Sequence, residues 1–176
     1  MDQAQTHALQ SLEASILGAV LLSNGTLAEL PRLEPDDFYD LRHRAVFTAM
    51  RNLEAKGAPI DVVTVEAEVA KWAGHHDVVD LGFLGMLALN CPTTDNALEY
   101  ARQVREASLS RRVVSALDGV LAQYRREALT GGELLSSALA ALSRIDEDQP
   151  DSAEGIAMIA KRRLAQLEQI AADRLA

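Results

Sequence analysis

The stretch between residues 96 and 126 constrains the fold more than any other part of the sequence. It contains no proline and a single glycine, and apolar residues recur every three to five positions. This spacing predicts one continuous helix, about 45 Å long, with an apolar stripe that needs a partner inside or outside the chain. The stripe comprises Leu98, Ala101, Val104, Leu109, Val113, Leu117, Val120, Leu121 and Tyr124.

A second helix is predicted directly after this one. Thr130 and Glu133 have capping-box spacing, in which Thr130 is the N-cap and Glu133 reaches back to it. The apolar positions that follow are Leu135, Ala138, Leu139, Leu142 and Ile145. Because the connection is short, the two helices are expected to form an antiparallel hairpin over residues 96–145. The second arm is shorter than the first, so part of the first arm needs another partner.

The first 95 residues are predicted to form a small globular bundle of shorter helices. Apolar spacing predicts helices over residues 8–22 and 41–56, and a short one from Leu27 to Leu30. Gly57 is expected to end the second of these, and Pro59 to stop it. Asp61 or Thr64 is predicted to cap a further helix, and Asp80 another. No strand is predicted, so the fold class is all-α.

Composition and charge limit the functions that this chain can perform alone. It has 176 residues, a net charge of -9, and a high content of alanine and leucine with few aromatics. Binding to DNA depends on lysine and arginine, so this balance argues against DNA binding by the chain itself. One cysteine, the lack of a signal peptide and the lack of a long apolar run predict a cytoplasmic protein without a membrane partner.

No catalytic, cofactor-binding or metal site is predicted. The lysines are Lys56, Lys71 and Lys161, and each follows alanine, so no phosphate loop of the Gly-Lys-Ser/Thr type is present. His75 and His76 stand beside Asp77 but lack further ligands at metal-binding spacing. Cys91 precedes Pro92 with no oxyanion element nearby, so it is not expected to be a catalytic nucleophile. His43 stands between two arginines and is expected to lie at the surface or to cap a helix.

The long helix carries the one locally basic stretch. Only Glu106 and Asp118 oppose its arginines between residues 101 and 126. These positions predict either a solvated face with salt bridges or a patch for an acidic partner protein or for DNA phosphates in an assembled ring. The arginines are Arg102, Arg105, Arg111, Arg112, Arg125 and Arg126.

A charged, proline-containing break over residues 146–152 predicts a flexible linker. A last amphipathic helix is predicted over residues 153–176. Nothing after it in this sequence can cover its apolar stripe, so the stripe must fold back or dock on a partner. The docking residues are predicted to be Ile156, Ile159, Leu164, Leu167 and Ile170.

Taken in order, these segments resemble the N-terminal domain of DnaB-family replicative DNA helicases, over roughly residues 8–145. Each segment alone is ordinary helix and cap sequence, whereas the ordered set at these spacings is specific. The last helix falls where the family has its linker helix. The matching segments are EASILG (13–18) with Leu21 and Leu22, PDDFY (35–39), HRAVFTAM (43–50), GAPIDVVT (57–64), Phe83 and Leu84 with Leu87, NCPT (90–93), Tyr100 and Ala101, and VRE (104–106).

The resemblance implies an assembly function. In the family the hairpins pair, and three such dimers form a collar over a hexameric ring. The collar docks primase and, in some systems, a helicase loader, while the linker helix packs on a neighbouring motor domain. It further implies that ATP, Mg²⁺ and single-stranded DNA belong to the assembled parent helicase and not to this chain. The residues expected at the hairpin dimer interface are Leu109, Val113, Leu117, Val120, Leu121, Leu135, Leu139 and Leu142.

The motor domain of that family is absent from this sequence, and the glycine pair before Phe83 is replaced by Leu81 and Gly82. The chain is therefore expected to be either a fragment that ends after the linker helix or a short homologue. In the second case it would be a stand-alone adaptor or inhibitor that mimics the helicase collar and binds replication proteins. An independent enzyme is not expected, because no pair of titratable groups has catalytic spacing.

Overall fold

A computed structural model describes residues 3–30, 33–72 and 79–147, with side chains to residue 145, and this part of the chain is all-α. The helices are α1 (Gln3–Leu22), α2 (Gly25–Glu29), α3 (Leu41–Ala55), α4 (Val62–Val69), α5 (Leu81–Leu89), α6 (Ala97–Glu127) and α7 (Gly131–Glu147), and a single 3-10 turn spans Pro35–Asp37. No strand occurs in these ranges, which confirms the predicted fold class. The predicted final helix over residues 153–176 and its five docking residues lie outside the described part.

The helix starts are fixed by the capping residues that the sequence marks. Asp61 accepts hydrogen bonds from the backbone N–H groups of Val63 and Thr64, and the Thr64 hydroxyl accepts one from the Asp61 backbone N–H. The cap of α4 is therefore Asp61, with Thr64 as its capping-box partner. Asp80 caps α5 in the same way through the N–H of Phe83. Such caps satisfy the amides that a helix start leaves unpaired.

The chain divides into two compact units, and the boundary falls inside α6. The first unit ends at Ser110 and the second begins at Arg111. The first unit extends beyond the predicted boundary at residue 95 because the initial turns of α6 bury Ala97, Ala101 and Val104 in its core. The second unit contains the rest of α6 and α7.

The core of the first unit is built from α1, α3, α4, α5 and the start of α6. Phe38 and Phe47 lie at its centre, with ring centroids 4.8 Å apart. Helices α1 and α5 lie in close contact at Gly18, where an added Cβ would lie 2.2 Å from the carbonyl oxygen of Leu87. Glycine is therefore required at position 18 by the close approach of two backbones.

Candidate protein interaction surfaces

The two helices of the second unit form an antiparallel hairpin. The Ser137 hydroxyl donates a hydrogen bond to the Gln123 side-chain oxygen at 3.0 Å. These residues lie at similar distances from the connection between α6 and α7, as antiparallel helices require. Between residues 111 and 145, the described side chains of this unit, Val120 and Ile145 are the buried apolar residues, 7% and 8% exposed. They mark a narrow contact, here called the seam, between the two helices.

Large apolar side chains lie exposed beside the seam. On α6, Val114, Leu117, Leu121 and Tyr124 alternate at three and four residues, the spacing that places side chains in one row along a helix. On α7, Leu135 and Leu139 are exposed one turn apart, at 61% and 58%. We call these six residues the hairpin face. Their exposure is unusual, because isolated domains seldom expose contiguous apolar rows.

The two rows lie on the same side of the hairpin. Each exposed residue directly follows a less exposed one, as Leu121 follows Val120 and Leu139 follows Ala138. A step of one residue along an α-helix turns the direction of the side chain by about 100° around the helix axis, in the same sense relative to the chain direction on both helices. Because the helices are antiparallel and their seam sides face each other, this common offset brings both rows to one face. The hairpin thus presents a single apolar surface.

The eight residues predicted for the dimer interface divide into groups. Leu117, Leu121, Leu135 and Leu139 belong to the hairpin face, whereas Val120 is buried in the seam. Three more are half-buried, namely Leu109 in the first unit and Val113 and Leu142 in the second. Sequence reasoning missed Val114 and Tyr124 as members of the face; the one-residue offset from seam to face is the signal that identifies them. The interface itself stays a prediction.

The six arginines of α6 are divided between the units. Arg102 and Arg105 belong to the first unit, and the other four to the second. Two have acidic neighbours on the same helix, Arg102 with Glu99 at 3.7 Å and Arg126 with Glu127 at 3.6 Å. Arg111 and Arg112 are half-buried, and Arg125 is exposed. A single electrostatic patch formed by all six residues stays a prediction.

In the first unit, the Glu13 carboxyl group joins two distant parts of the chain. It is fully buried and accepts hydrogen bonds from the backbone N–H groups of Tyr39 and Asp40, at 2.5 and 3.2 Å. It also lies 2.9 Å from Nδ1 of His43, which is buried as well. The expectation that His43 lies at the surface or caps the helix is therefore wrong. This cluster holds α1 to the start of α3 and is closed to a partner.

Two further contacts complete the surroundings of His43. Its ring stacks on Phe83 at 5.9 Å between centroids, and the Arg42 guanidinium lies 4.5 Å from the centre of the same Phe83 ring. Burial tends to raise the pKa of Asp40, the α3 cap, but the Arg42 backbone N–H, nearby His43 and the Arg42 side chain bring it below its ordinary value. These residues orient α1, α3 and α5 within the first unit.

Helix α5 presents a second exposed apolar surface. It is apolar around its whole circumference, a pattern typical of a helix covered on all sides. The core buries Leu84 and Leu87 and partly covers Phe83, while Leu81, Met86 and Leu89 are exposed, the last at 81%. We call these three exposed residues the α5 face. Gly82 and Gly85 lie between them on the same side of the helix, where they allow another backbone to approach closely.

Cys91 is a free, half-buried cysteine. Burial raises the pKa of the Cys91 thiol, despite a hydrogen bond involving Thr93, so the reactive thiolate is disfavoured. Within residues 3–30, 33–72 and 79–145 no group of three or more histidine, cysteine, aspartate or glutamate residues could hold a metal ion. His75, His76 and Asp77 lie outside the described part. None of the described helices is long and apolar enough to span a membrane.

The sequence profile of the DnaB-like helicase N-terminal domain family matches residues 5–106. The chain belongs to this family. It is 37% identical to the replicative DNA helicase DnaB of Geobacillus stearothermophilus over 122 residues, which are 67% of this chain and 27% of that protein. It is 32% identical to DnaB of Buchnera aphidicola over 141 residues, 78% of this chain and 30% of that protein. The chain thus spans about a quarter to a third of these relatives.

Solved structures show the same fold. The N-terminal domain of DnaB helicase from Mycobacterium tuberculosis superimposes with a TM-score of 0.67 at 33% identity, over 76% of this chain and 96% of that one. A structure described as that of a DnaB-like replicative helicase and its interactions with primase gives a TM-score of 0.63 at 21% identity. It is matched over 84% of this chain and 34% of that one. These matches extend the family resemblance to the three-dimensional fold.

Proposed function

We propose that this chain is the collar domain of a replicative helicase, that it pairs with a second copy through the hairpin face, and that it docks primase through the α5 face. The hairpin face carries the proposal, because it places six large apolar side chains on one exposed surface. In the assembled parent, three such pairs would form the collar of a hexamer. ATP, Mg²⁺ and single-stranded DNA would be bound by the motor ring, and a loader would act on the assembled helicase.

Self-association is supported by the shape and chemistry of the hairpin face. The a/d-like spacing on α6 suits the packing of one helix against another. A second hairpin offers the same rows in a self-complementary arrangement, as a two-fold symmetric dimer requires. Covering half-exposed leucines returns about 1 kcal/mol or more for each side chain, enough in sum to offset much of the entropy lost on pairing.

Primase docking is supported by the α5 face. The solved relative described with its interactions with primase has the same fold. Leu81, Met86 and Leu89 can serve as apolar anchors, and the glycines beside them leave room for a partner helix. The proposal assigns different surfaces to self-association and to primase binding, so a substitution in one surface can abolish one interaction without affecting the other.

Analytical ultracentrifugation tests the pairing. Leu121→Asp places a charge in the hairpin face, and Ala122→Asp places the same charge on an exposed position outside it. We expect dimers at micromolar concentration for the wild type and for Ala122→Asp, and monomers for Leu121→Asp. A wild-type monomer at high micromolar concentration, or dissociation of both variants, would contradict hairpin pairing.

Calorimetric titration with the primase of the same organism tests the docking. Leu89→Asp is expected to weaken binding roughly tenfold or more, since a charge would be buried against an apolar partner. Val63→Asp, an equally apolar exposed position on α4, is the matched control and is expected to bind as the wild type does. Equal loss in both variants, or none in Leu89→Asp, would remove the α5 face from the proposal.

A further inference from the structure

In the first unit, Asn24 ties the turn between α1 and α2 to the segment between α3 and α4. With its amide oriented to satisfy both groups, Asn24 Nδ2 donates a hydrogen bond to the backbone oxygen of Ile60 at 2.6 Å, and Oδ1 accepts one from the Ile60 N–H at 3.2 Å. Asn24 directly precedes α2, but its side chain does not cap that helix. The two bonds to Ile60 are therefore what this amide contributes to the fold.

The same asparagine stands in a chemically labile sequence, because Gly25 follows it. The backbone nitrogen of the residue after an asparagine can attack the side-chain Cγ, which closes a five-membered succinimide ring and releases ammonia. Water then opens the ring at either carbonyl, to aspartate or to isoaspartate, whose side-chain methylene becomes part of the backbone. The reaction needs no oxidant or cofactor. A following glycine favours it, because no Cβ hinders the attacking nitrogen.

The surroundings of this dipeptide leave room for the ring and for water. Asn24 and Gly25 are both exposed, and a Cβ added at Gly25 would meet nothing within 4 Å. Asn96 is a matched comparison, because it is equally classed as exposed but precedes Ala97. Exposure alone therefore does not distinguish the two sites, whereas the following residue does. Of the asparagines in the sequence, Asn24, Asn52, Asn90 and Asn96, only the first precedes glycine.

The folded turn restrains the same reaction. The Asn24 backbone is helical, with φ −59° and ψ −29°, and its amide is held by the two hydrogen bonds to Ile60. Before Cγ can meet the Gly25 nitrogen, the amide must leave Ile60 and rotate toward its own backbone. The attack therefore proceeds from a locally opened turn, and its rate follows the population of that open state.

We propose that Asn24 is a site of spontaneous deamidation and that its contact with Ile60 restrains the reaction. An aspartate at this position has no N–H to donate, so the Ile60 carbonyl oxygen loses its hydrogen bond and faces a carboxylate instead. Isoaspartate also lengthens the backbone of the turn. The modification therefore loosens the turn from the segment before α4 and cannot reverse by itself. It requires neither hairpin pairing nor primase docking.

Peptide mass spectrometry of the whole chain, incubated at mildly alkaline pH with and without concentrated urea, tests the site. We expect the peptide with Asn24 to gain the mass of an amide-to-acid change, partly as isoaspartate, several-fold faster than the peptide with Asn96. Urea should accelerate the change at Asn24 because it opens the turn. Gly25→Ala should slow it several-fold and should fold normally, since its Cβ enters open space.

Asn24→Asp reproduces one product and tests its consequence. Its melting temperature should lie about 3 °C or more below that of the wild type, because the Ile60 carbonyl oxygen loses its donor. Asn96→Asp, at the exposed comparison position, should show no such decrease. Equal rates at Asn24 and Asn96, or an unchanged rate in Gly25→Ala, would exclude the site. Equal rates with and without urea, or an unchanged melting temperature in Asn24→Asp, would refute the role of Ile60.

Discussion

The two compact units use the same kind of helix in opposite ways, and α6 shows the contrast within one element. In the first unit its apolar residues, such as Ala101 and Val104, are fully buried. In the second unit Leu117 and Leu121 recur at a similar spacing and remain exposed. The apolar spacing identifies the side of a helix that needs to be buried. The number of neighbouring helices decides whether the chain itself buries that side.

Polar groups show the same difference. The first unit buries Glu13 and supplies it with two backbone donors and His43. In the second unit a hydrogen bond across the seam joins two uncharged side chains, Gln123 and Ser137. The first unit is therefore expected to be sensitive to changes at single buried residues, whereas changes at the hairpin face should alter assembly more than folding.

Removal of the Glu13 side chain should have the largest effect on stability. Glu13→Ala leaves the N–H groups of Tyr39 and Asp40 and the ring of His43 without their acceptor in a closed core. We expect a loss of about 3–5 kcal/mol in the free energy of unfolding, measured by urea denaturation.

Two variants make this result specific. Glu99→Ala removes an exposed carboxyl group and should change stability by less than about 0.5 kcal/mol. Glu13→Gln keeps one acceptor oxygen and should recover part of the loss. If Glu13→Ala cost under about 1 kcal/mol, the cluster would not be what holds α1 to α3.

The next largest effect is expected at Gly18. In Gly18→Ala the new Cβ meets the Leu87 carbonyl oxygen and the Cys91 Cβ, so α1 and α5 must move apart. A loss of about 1–3 kcal/mol should follow. Gly85→Ala is the matched control, because its Cβ meets nothing within 4 Å and alanine favours helix. Thermal unfolding should show opposite shifts for the two variants; a shared direction would refute the close contact.

Much of this fold could be predicted from the sequence because the determinants are local. The caps at Asp61, Asp80 and Thr130, and the left-handed Gly57 after α3, depend on residues within a few positions of each other. The start of α1 was less clear: the helix begins at Gln3 and not at residue 8, because polar residues can extend a helix beyond its apolar stripe.

The contacts between distant residues could not be predicted in the same way. Glu13 and His43 are thirty positions apart, and no local pattern indicates that α1 brings them together. The requirement for Gly18 likewise depends on Leu87, which lies on another helix. For the hairpin, the periodicity identifies the apolar positions but does not separate the seam from the hairpin face. Spacing along one helix does not show which of two adjacent apolar rows the other helix covers.

A smaller effect should distinguish the seam from the face. Val120→Ala removes buried methyl groups and should cost about 1–2 kcal/mol. Val114→Ala, at an exposed position, should change stability by less than about 0.5 kcal/mol. Both are compared by urea denaturation in the Leu121→Asp background, so that self-association does not contribute. Equal losses would show that Val114 is as well covered as Val120.

The smallest effect concerns pH and the cap of α4. The pKa of Asp61 lies below its ordinary value of 3.8, chiefly because the carboxylate accepts a hydrogen bond from the Thr64 backbone N–H. Burial tends to raise this pKa, whereas the Thr64 hydroxyl and the Val63 N–H lower it further. A carboxyl group with a lowered folded pKa stabilises the protein above its unfolded pKa, and this contribution disappears as the pH falls through the folded pKa. Wild-type stability should therefore decrease below about pH 4.

Asp61→Asn separates this contribution from the other acidic residues of the chain. Asparagine keeps a capping oxygen but does not titrate, so the melting temperature of the variant should fall less steeply than that of the wild type below about pH 4. Asp118→Asn, at an exposed position within α6, should retain the wild-type slope. Identical slopes for the wild type and Asp61→Asn would mean that Asp61 stabilises α4 through its geometry alone, and that its charge adds nothing.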